Sequence, residues 1–172
     1  LIRSNGIVKK QFYNSDMVSM GYNFRMTEIA GSLGLTQLKK LDSFIAIREK
    51  IATYYDERFK NEKLFTTTII DTNMISSRHL YPIILNPELH CLKEEIFQEL
   101  QKRGLGIQVH YKPIYQHSFY KEKFGNFCLN VADDFYRSEI SIPCHQKMSI
   151  DDAKYVADTF LEVLQKYTKK GI

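Results

Sequence analysis

A long amphipathic pattern between Thr27 and Phe59 constrains the fold of this chain more than any other feature. Its apolar residues recur mainly at spacings of three to five with charged residues between them, which is typical of one face of an α-helix. The apolar positions are Ile29, Leu33, Leu38, Leu41, Ile45, Ile51, Tyr55 and Phe59. Thr27 is the predicted N-cap, because its hydroxyl can accept from a first-turn N–H group. Gly31 and Gly34 weaken the early turns, so we expect a close backbone approach or a break there.

Shorter patterns flank this helix. Residues 1–26 contain several turn formers and are predicted to be mostly irregular. Strands are predicted at 66–70, 79–85 and 107–111, a loop at 71–77, and helices at 91–103, 131–139 and 150–168. Gly104 follows the first of these helices as its predicted left-handed cap. The order of one long helix, strand, helix, strand and terminal helices predicts an α+β domain.

Composition and charge exclude some classes of protein. The 172 residues are enough for one domain, and 24 basic against 20 acidic residues leave a net charge of only +4. The lysines are scattered instead of forming a basic face, which argues against a nucleic-acid-binding domain. No apolar run approaches the ~20 residues that span a bilayer, so no membrane partner is expected.

The cysteines and the first residue bear on where the chain belongs. Cys91, Cys128 and Cys144 are an odd number at irregular spacing, which favours free thiols in a reducing cytoplasm over a disulfide framework. A cytoplasmic location is therefore expected. The chain begins with Leu1 instead of Met, so we expect it to be part of a longer protein.

Two polar segments are candidates for ligand contacts. Asn23 and Arg25 stand just before the long helix, where they are either a ligand-binding pair or a turn residue and a surface charge. Gln108 to Tyr111 end a predicted strand, and their Gln, His and Tyr side chains offer donors and acceptors to hydroxyl, amide or phosphate groups. A structural role for His110 is equally open at this stage.

A third segment contains adjacent cysteine and histidine residues, Cys144 and His145. Neighbours in sequence rarely have the geometry of a nucleophile and its base, so nucleophilic catalysis is disfavoured. A zinc site built from these two residues with His90 and Cys91 is also disfavoured, because the spacing matches no standard ligand pattern. No metal is expected.

Five segments, in order, are similar to those of one enzyme family. The segments are Arg3–Gly6, Gly21–Met26, Leu33–Leu38, Gln108–Tyr111 and Glu139–Pro143. Together they resemble the DegT/DnrJ/EryC1/StrS family of pyridoxal-phosphate-dependent nucleotide-sugar aminotransferases over nearly the whole chain. Within that family, the residues around Asn23 and His110 look most like the pseudaminic-acid branch.

The resemblance implies a fold and a domain division. The chain would be the C-terminal small domain of a fold-type I aminotransferase, with a long linking helix followed by a small, mainly antiparallel sheet and helices packed on it. Residues 1–40 would be the remaining tail of the large cofactor domain and the start of the linking helix, and residues 41–172 the small domain.

The resemblance also implies roles for individual residues. Asn23 matches the family asparagine that crosses the dimer interface and hydrogen-bonds the phosphate of the cofactor. Gln108, Val109, His110 and Tyr111 match the segment that contacts the nucleotide sugar, and Arg25 would support the loop of Asn23. No residue of the chain matches a catalytic one.

The implied activity is transfer of an amino group from glutamate to C4 of a UDP-linked 4-keto-6-deoxy sugar, by a homodimer that uses pyridoxal 5′-phosphate. The family lysine that holds the cofactor as a Schiff base lies before the Arg3–Gly6 segment, so this chain alone is predicted to be inactive. Without the large domain, Leu33, Leu35 and Leu38 are expected to be exposed and to favour self-association. The alternative is a non-catalytic binding or structural module that keeps the small-domain fold.

Overall fold

The computed structural model of the protein describes residues 1–9, 11, 14–71 and 73–168. The chain divides into two compact units, Leu1–Asp42 and Ser43–Ile172. It is an α+β structure, as predicted, with six α-helices and two antiparallel sheets within the described residues. No helix in those ranges is long and apolar enough to cross a membrane.

The first unit contains a small hairpin. Strands β1 (Ile7–Lys9) and β2 (Ser15–Met17) pair antiparallel, with Ile7 opposite Met17. Apart from these two strands, the described residues of 1–26 form turns, bends and isolated bridges, so the prediction of a mostly irregular segment holds. Both strands are short and largely exposed, so they lack the alternation of apolar and polar residues that marks a half-buried strand.

The long amphipathic pattern forms two helices instead of one. Helix α1 (Glu28–Leu38) begins at Thr27, whose hydroxyl accepts from the amide of Ala30 at 3.3 Å, so the predicted N-cap is confirmed. Helix α2 (Leu41–Phe59) follows after a turn in which the amide of Lys40 donates to the carbonyl of Gln37. The helix is therefore interrupted several residues after the two glycines and not at them.

The second unit is built on a three-stranded antiparallel sheet with β4 in the middle. Its strands are β3 (Phe65–Thr67), β4 (Tyr81–Leu85) and β5 (Glu139–Ile142). The strands predicted at 66–70 and 79–85 correspond to β3 and β4. β5 was not predicted, and the strand predicted at 107–111 is absent; only Gln108 forms a bridge, to Ser141.

Four further helices complete the second unit. They are α3 (Lys93–Lys102), α4 (Ser118–Phe124), α5 (Asn130–Ser138) and α6 (Ile150–Thr168), with short 3-10 helices at Pro87–Leu92 and Ile114–Gln116. The predicted helices at 91–103, 131–139 and 150–168 are confirmed. Gly104 has a φ of +82° after α3, as expected for a left-handed cap.

The core of the second unit lies between the sheet and helices α2 and α6. Phe65 of β3 meets Phe160 of α6 edge-on, with ring centroids 5.4 Å apart. Tyr55 of α2 lies 4.9 Å from Tyr81 of β4, also between centroids. Helix α3 packs against α6. This frame holds β5, and with it the bridge to Gln108, in a fixed position.

Helix α1 contributes no buried residue to its own unit. Leu33, Leu35 and Leu38 are 61%, 59% and 64% exposed, which agrees with the predicted exposure of this helix. Three large apolar side chains exposed on one short helix make this helix a candidate interaction site. The placement of residues 1–40 in a cofactor domain stays a prediction.

Candidate functional site

The segment that carries Asn23 is held by main-chain hydrogen bonds to the beginning of the chain. The amide of Asn5 donates to the carbonyl of Tyr22 at 2.9 Å, that of Tyr22 to Ile2 at 2.8 Å, and that of Phe24 to Arg3 at 3.0 Å. Two of the five sequence segments therefore lie side by side. Their pairing fixes the backbone on both sides of Asn23.

This pairing requires glycine where the two segments meet. Gly6 has a φ of +69°, and a Cβ atom there would lie 1.7 Å from the carbonyl oxygen of Ser19. A Cβ atom on Gly21 would lie 2.2 Å from the backbone nitrogen of Gly6. Contacts this short are excluded by hard-sphere sterics. Gly6 and Gly21 are therefore explained by the close approach of the two backbones, without a contact to a ligand.

The side chain of Asn23 has a defined orientation. The Nε atom of Arg25 lies 2.9 Å from Oδ1 of Asn23, and because an arginine N–H group can only donate, the contacted atom is the amide oxygen. Both residues are exposed. The Nδ2 group makes no hydrogen bond within the described part of the chain, so it keeps two donors for an external acceptor such as a phosphate oxygen.

The other predicted site segment, 108–111, is held against β5. The backbone groups of Gln108 and Ser141 exchange two hydrogen bonds, of 3.1 and 2.8 Å. The next pairing is made by a side chain, since the amide of His110 donates to Oε2 of Glu139 at 2.8 Å. The predicted strand fails for this reason: a carboxylate takes the place of the backbone carbonyl that would continue the ladder.

His110 is joined to two residues for which the sequence interpretation gave no role. Its Nδ1 atom lies 2.9 Å from Oγ of Ser141, and that hydroxyl donates to Oε1 of Glu139 at 2.5 Å. Glu139 is fully buried, whereas His110 is half-buried. The signal in the sequence was an acidic residue inside an apolar strand, with a serine two positions on and therefore on the same face.

The remaining residues of the segment face different surroundings. Gln108 is exposed, and so is Tyr111, whose ring meets that of His110 edge-on at 4.5 Å between centroids. Val109 lines a cleft of about 610 Å³ that is bordered by α3 and α5, whereas Tyr111 lines an apolar groove of about 640 Å³ next to α5. The structure thus brings His110 and Tyr111 together and turns Val109 toward another cavity.

A half-buried lysine, Lys93, places its charge near Glu139. Burial lowers the pKa of Lys93, and the nearby charge of Glu139 opposes that change in part. Its ammonium group donates to the carbonyl of Tyr136 at 2.5 Å and lies 5.1 Å from the centroid of that ring. The carboxylate of Glu139 therefore has one cation and two hydrogen-bond donors in its surroundings.

The segment with Cys144 and His145 has no catalytic geometry. Cys144 is buried, and burial raises the pKa of its thiol to about 11. The Nδ1 atom of His145 accepts from the amide of Lys147 instead of approaching the thiol. All three cysteines are free, as predicted. Among the described residues, no group of His, Cys, Asp and Glu side chains is arranged to hold a metal ion.

Comparison with known proteins places this architecture in one class, the aminotransferases that act on sugars. The solved structure of Helicobacter pylori PseC, an aminotransferase involved in the biosynthesis of pseudoaminic acid, superposes with a TM-score of 0.84 at 40% identity. The match covers 96% of this chain and 44% of that one.

The family model of the DegT/DnrJ/EryC1/StrS aminotransferases matches residues 1–161. The chain therefore belongs to this family. It is 53% identical over 171 residues to a UDP-4-amino-4,6-dideoxy-N-acetyl-beta-L-altrosamine transaminase from Campylobacter jejuni and 40% identical over 167 residues to one from Helicobacter pylori. These matches cover 99% and 97% of this chain but 45% and 44% of the relatives, so the chain spans somewhat less than half of their length.

Proposed function

We propose that this chain forms the C-terminal portion of a pyridoxal-phosphate-dependent aminotransferase that moves an amino group from glutamate to C4 of a UDP-linked 4-keto-6-deoxy sugar. The observation that carries the proposal is the similarity, along nearly the whole chain, to two proteins named as transaminases of a UDP-linked amino sugar. The activity belongs to the longer enzyme, and this chain contributes contacts to it.

Asn23 is the residue that fits the phosphate group of the cofactor. Arg25 occupies the oxygen of its amide, so the two N–H donors of Nδ2 face a ligand. Neutral donors of this kind suit a phosphate oxygen. In a homodimer, Asn23 would reach the cofactor of the partner subunit, and Arg25 would keep the amide from rotating.

The segment 108–111 supplies the contacts to the nucleotide sugar. Gln108 and Tyr111 are exposed, and the ring of His110 is anchored at one nitrogen only. Exposed hydrogen-bonding side chains on a backbone held by a sheet are a common way to orient a polar ligand. Val109 has no polar side-chain group and lines the cleft bordered by α3 and α5, so its contact to the nucleotide sugar would be apolar.

The chain by itself is proposed to be inactive. Pyridoxal phosphate supplies the electron sink of amino-group transfer, and the reaction also needs a lysine that holds the cofactor and carries protons. Lys93 is the amine to examine, because burial lowers its pKa. Its hydrogen bond to the carbonyl of Tyr136 and its position over that ring engage it in the packing of the second unit.

The first experiment replaces Asn23 by Ala in the complete enzyme and measures the affinity for pyridoxal phosphate. A hydrogen bond to a charged group contributes about 1.5–3 kcal/mol, so the dissociation constant should rise roughly 10- to 150-fold. Arg25→Ala should produce a smaller rise, because the amide stays but loses its orientation. Asn14→Ala is the matched control in the same unit. An unchanged affinity in Asn23→Ala would contradict the cofactor role.

A second experiment treats the isolated chain with pyridoxal phosphate and borohydride, followed by intact mass analysis. Scattered substoichiometric labelling is expected, as for surface lysines. A single stoichiometric adduct that disappears in Lys93→Arg would show a reactive amine in this chain and overturn its predicted inactivity.

The alternative, a non-catalytic module with the small-domain fold, makes a different prediction. Turnover restored by adding the N-terminal portion of the enzyme in trans favours the aminotransferase. Tight binding of a UDP-sugar by the isolated chain, with no turnover after that addition, would favour the module.

A further inference from the structure

A hydrogen-bond chain runs from the buried carboxylate of Glu139 through Ser141 to the ring of His110. Oε2 of Glu139 accepts from the backbone amide of His110, Oε1 accepts from the hydroxyl of Ser141, and that hydroxyl oxygen lies 2.9 Å from Nδ1 of the ring. Glu139 is 0% exposed and Ser141 4%. Water therefore has little access to the middle of the chain, and the protein atoms themselves decide where each proton lies.

The direction of these bonds follows from the donors that are available. A backbone N–H can only donate, so Oε2 of Glu139 is an acceptor. An ionised carboxylate has no proton to give, so Oε1 is also an acceptor, and the single hydroxyl proton of Ser141 is directed to it. The serine oxygen can then only accept from the ring, which requires a proton on Nδ1 of His110. In the neutral imidazole, Nε2 is left with its lone pair.

We propose that Glu139 and Ser141 are positioning residues that hold neutral His110 as the Nδ1–H tautomer, so that its Nε2 atom accepts a hydrogen bond from the ligand. This inference rests on the proposed function, in which the ligand is the nucleotide sugar. The group that binds Nε2 is then a donor of that sugar, a hydroxyl or an amide N–H, and not a phosphate oxygen, which can only accept. Within the described residues Nε2 makes no hydrogen bond, so it is available for this contact.

The proposal makes a directional prediction for Glu139→Gln. The amide of His110 still needs an acceptor, so the oxygen of the new side chain must take the Oε2 position and its NH₂ group the Oε1 position. That NH₂ group donates to Oγ of Ser141, whose hydroxyl proton then turns to Nδ1 of His110. The proton of the imidazole must move to Nε2, and the tautomer is reversed by a nearly isosteric change.

The tautomer can be read directly in the 172-residue chain. Long-range ¹H–¹⁵N spectra of the chain with labelled histidines, recorded at roughly pH 8, above the ordinary histidine pKa of about 6.5, distinguish protonated from unprotonated ring nitrogens. His110 is assigned from its missing signals in His110→Asn. His90 is an internal control of opposite type, because its Nε2 lies 3.0 Å from the carbonyl oxygen of Leu85 and must therefore donate.

The expected result is Nδ1–H for His110 and Nε2–H for His90 in the unmodified chain. Glu139→Gln should convert His110 to Nε2–H and leave His90 unchanged, which also reports that the second unit remains folded. Ser141→Ala removes the link and should leave a mixture of tautomers at His110. Nε2–H in the unmodified chain, or no change in Glu139→Gln, would overturn the proposal.

Kinetics of the complete enzyme separate this proposal from the proposed function. Glu139→Gln should raise KM for the UDP-linked keto sugar roughly tenfold, the effect of one lost hydrogen bond, with little change in kcat. The double variant with His110→Ala should be no worse than His110→Ala alone, because Glu139 acts through the ring. Additive effects would show a merely structural role and overturn the proposal. A reversed tautomer with an unchanged KM would overturn the substrate role of His110 while the hydrogen-bond chain stands.

Discussion

Replacement of Ser141 by Ala should destabilise the second unit by about 2–3 kcal/mol, more than a buried serine ordinarily contributes. The substitution removes the donor to Oε1 of Glu139 and the acceptor for Nδ1 of His110. Glu139 has no exposed surface, so water does not replace the lost donor. A hydrogen bond to a charged group contributes about 1.5–3 kcal/mol to stability. When a buried charge loses such a bond and water cannot replace it, the folded state loses that full amount.

Ser138, three residues earlier in the sequence, offers a matched control. It is as buried as Ser141, at 4% exposed, but its hydroxyl donates to the backbone carbonyl of Phe135 within α5. Because that partner is neutral, Ser138→Ala should cost only about 1 kcal/mol. The difference between the two variants isolates the contribution of the buried carboxylate.

Urea unfolding followed by near-ultraviolet circular dichroism is the assay. Tyr55 and Tyr81 are buried in the second unit, so the signal of packed tyrosines reports that unit. With a slope of about 1–3 kcal/mol per molar urea, Ser141→Ala should lower the midpoint by roughly 1 M and Ser138→Ala by less than half as much. Equal midpoints for the two variants would refute the reasoning that Glu139 is a buried charge dependent on Ser141.

Three other predictions concern thiols, pH and glycine. Cys91 and Cys128 are exposed and should react rapidly with iodoacetamide at neutral pH. Cys144 should react only after unfolding or near pH 11, because burial raises the pKa of its thiol from 9.0 to about 11. Rapid labelling of all three thiols would contradict this prediction. As pH rises through 9.0 the unfolded state releases the Cys144 proton first, so stability should fall between pH 9.0 and about 11, and less steeply in Cys144→Ala. Gly6→Ala should disrupt the N-terminal hairpin, seen as fast amide hydrogen exchange in the first unit, because its Cβ atom would lie 1.7 Å from a backbone oxygen. Gly104→Ala has a similar φ but open space around it and should cost only about 1 kcal/mol; equal effects would contradict the steric argument.

Helices α3 and α6 were predictable because the apolar residues of each recur at helical spacing and mark the face that packs against the core. In α6 the apolar residues that recur at helical spacing are all buried, at Ala153, Val156, Ala157, Phe160, Val163 and Leu164. A period of 3.6 residues sustained over 19 residues leaves little room for another interpretation. The α+β class and the cap at Gly104 followed from the same kind of local information.

The elements that escaped prediction depend on partners distant in sequence. The segment 107–111 looks like a strand, but the carboxylate of Glu139 takes the hydrogen bond that would extend it. Strand β5 follows α5 directly at Glu139, so the helical pattern concealed its beginning. The hydrogen-bond chain to His110 was missed for a related reason. The burial of Glu139 can be recognised only when both of its donors are known, and one of them, the amide of His110, lies about thirty residues earlier in the sequence.

The pairing of the family segments separates residues that shape the backbone from residues that are available to a ligand. Residues 3–6 pair with 21–24 and residues 108–110 pair with 139–141, each within one compact unit. Gly6 and Gly21 are explained by the close approach of two backbones, so their presence in the pattern carries no information about a ligand. Asn23 and His110 differ, because each is fixed at one polar atom and keeps a second polar atom without a partner in the described residues. A side chain that is oriented by the protein and keeps a polar atom without a partner in the described residues can bind a group from outside the chain. This is the physical reason for proposing that Asn23 contacts the cofactor and His110 the substrate.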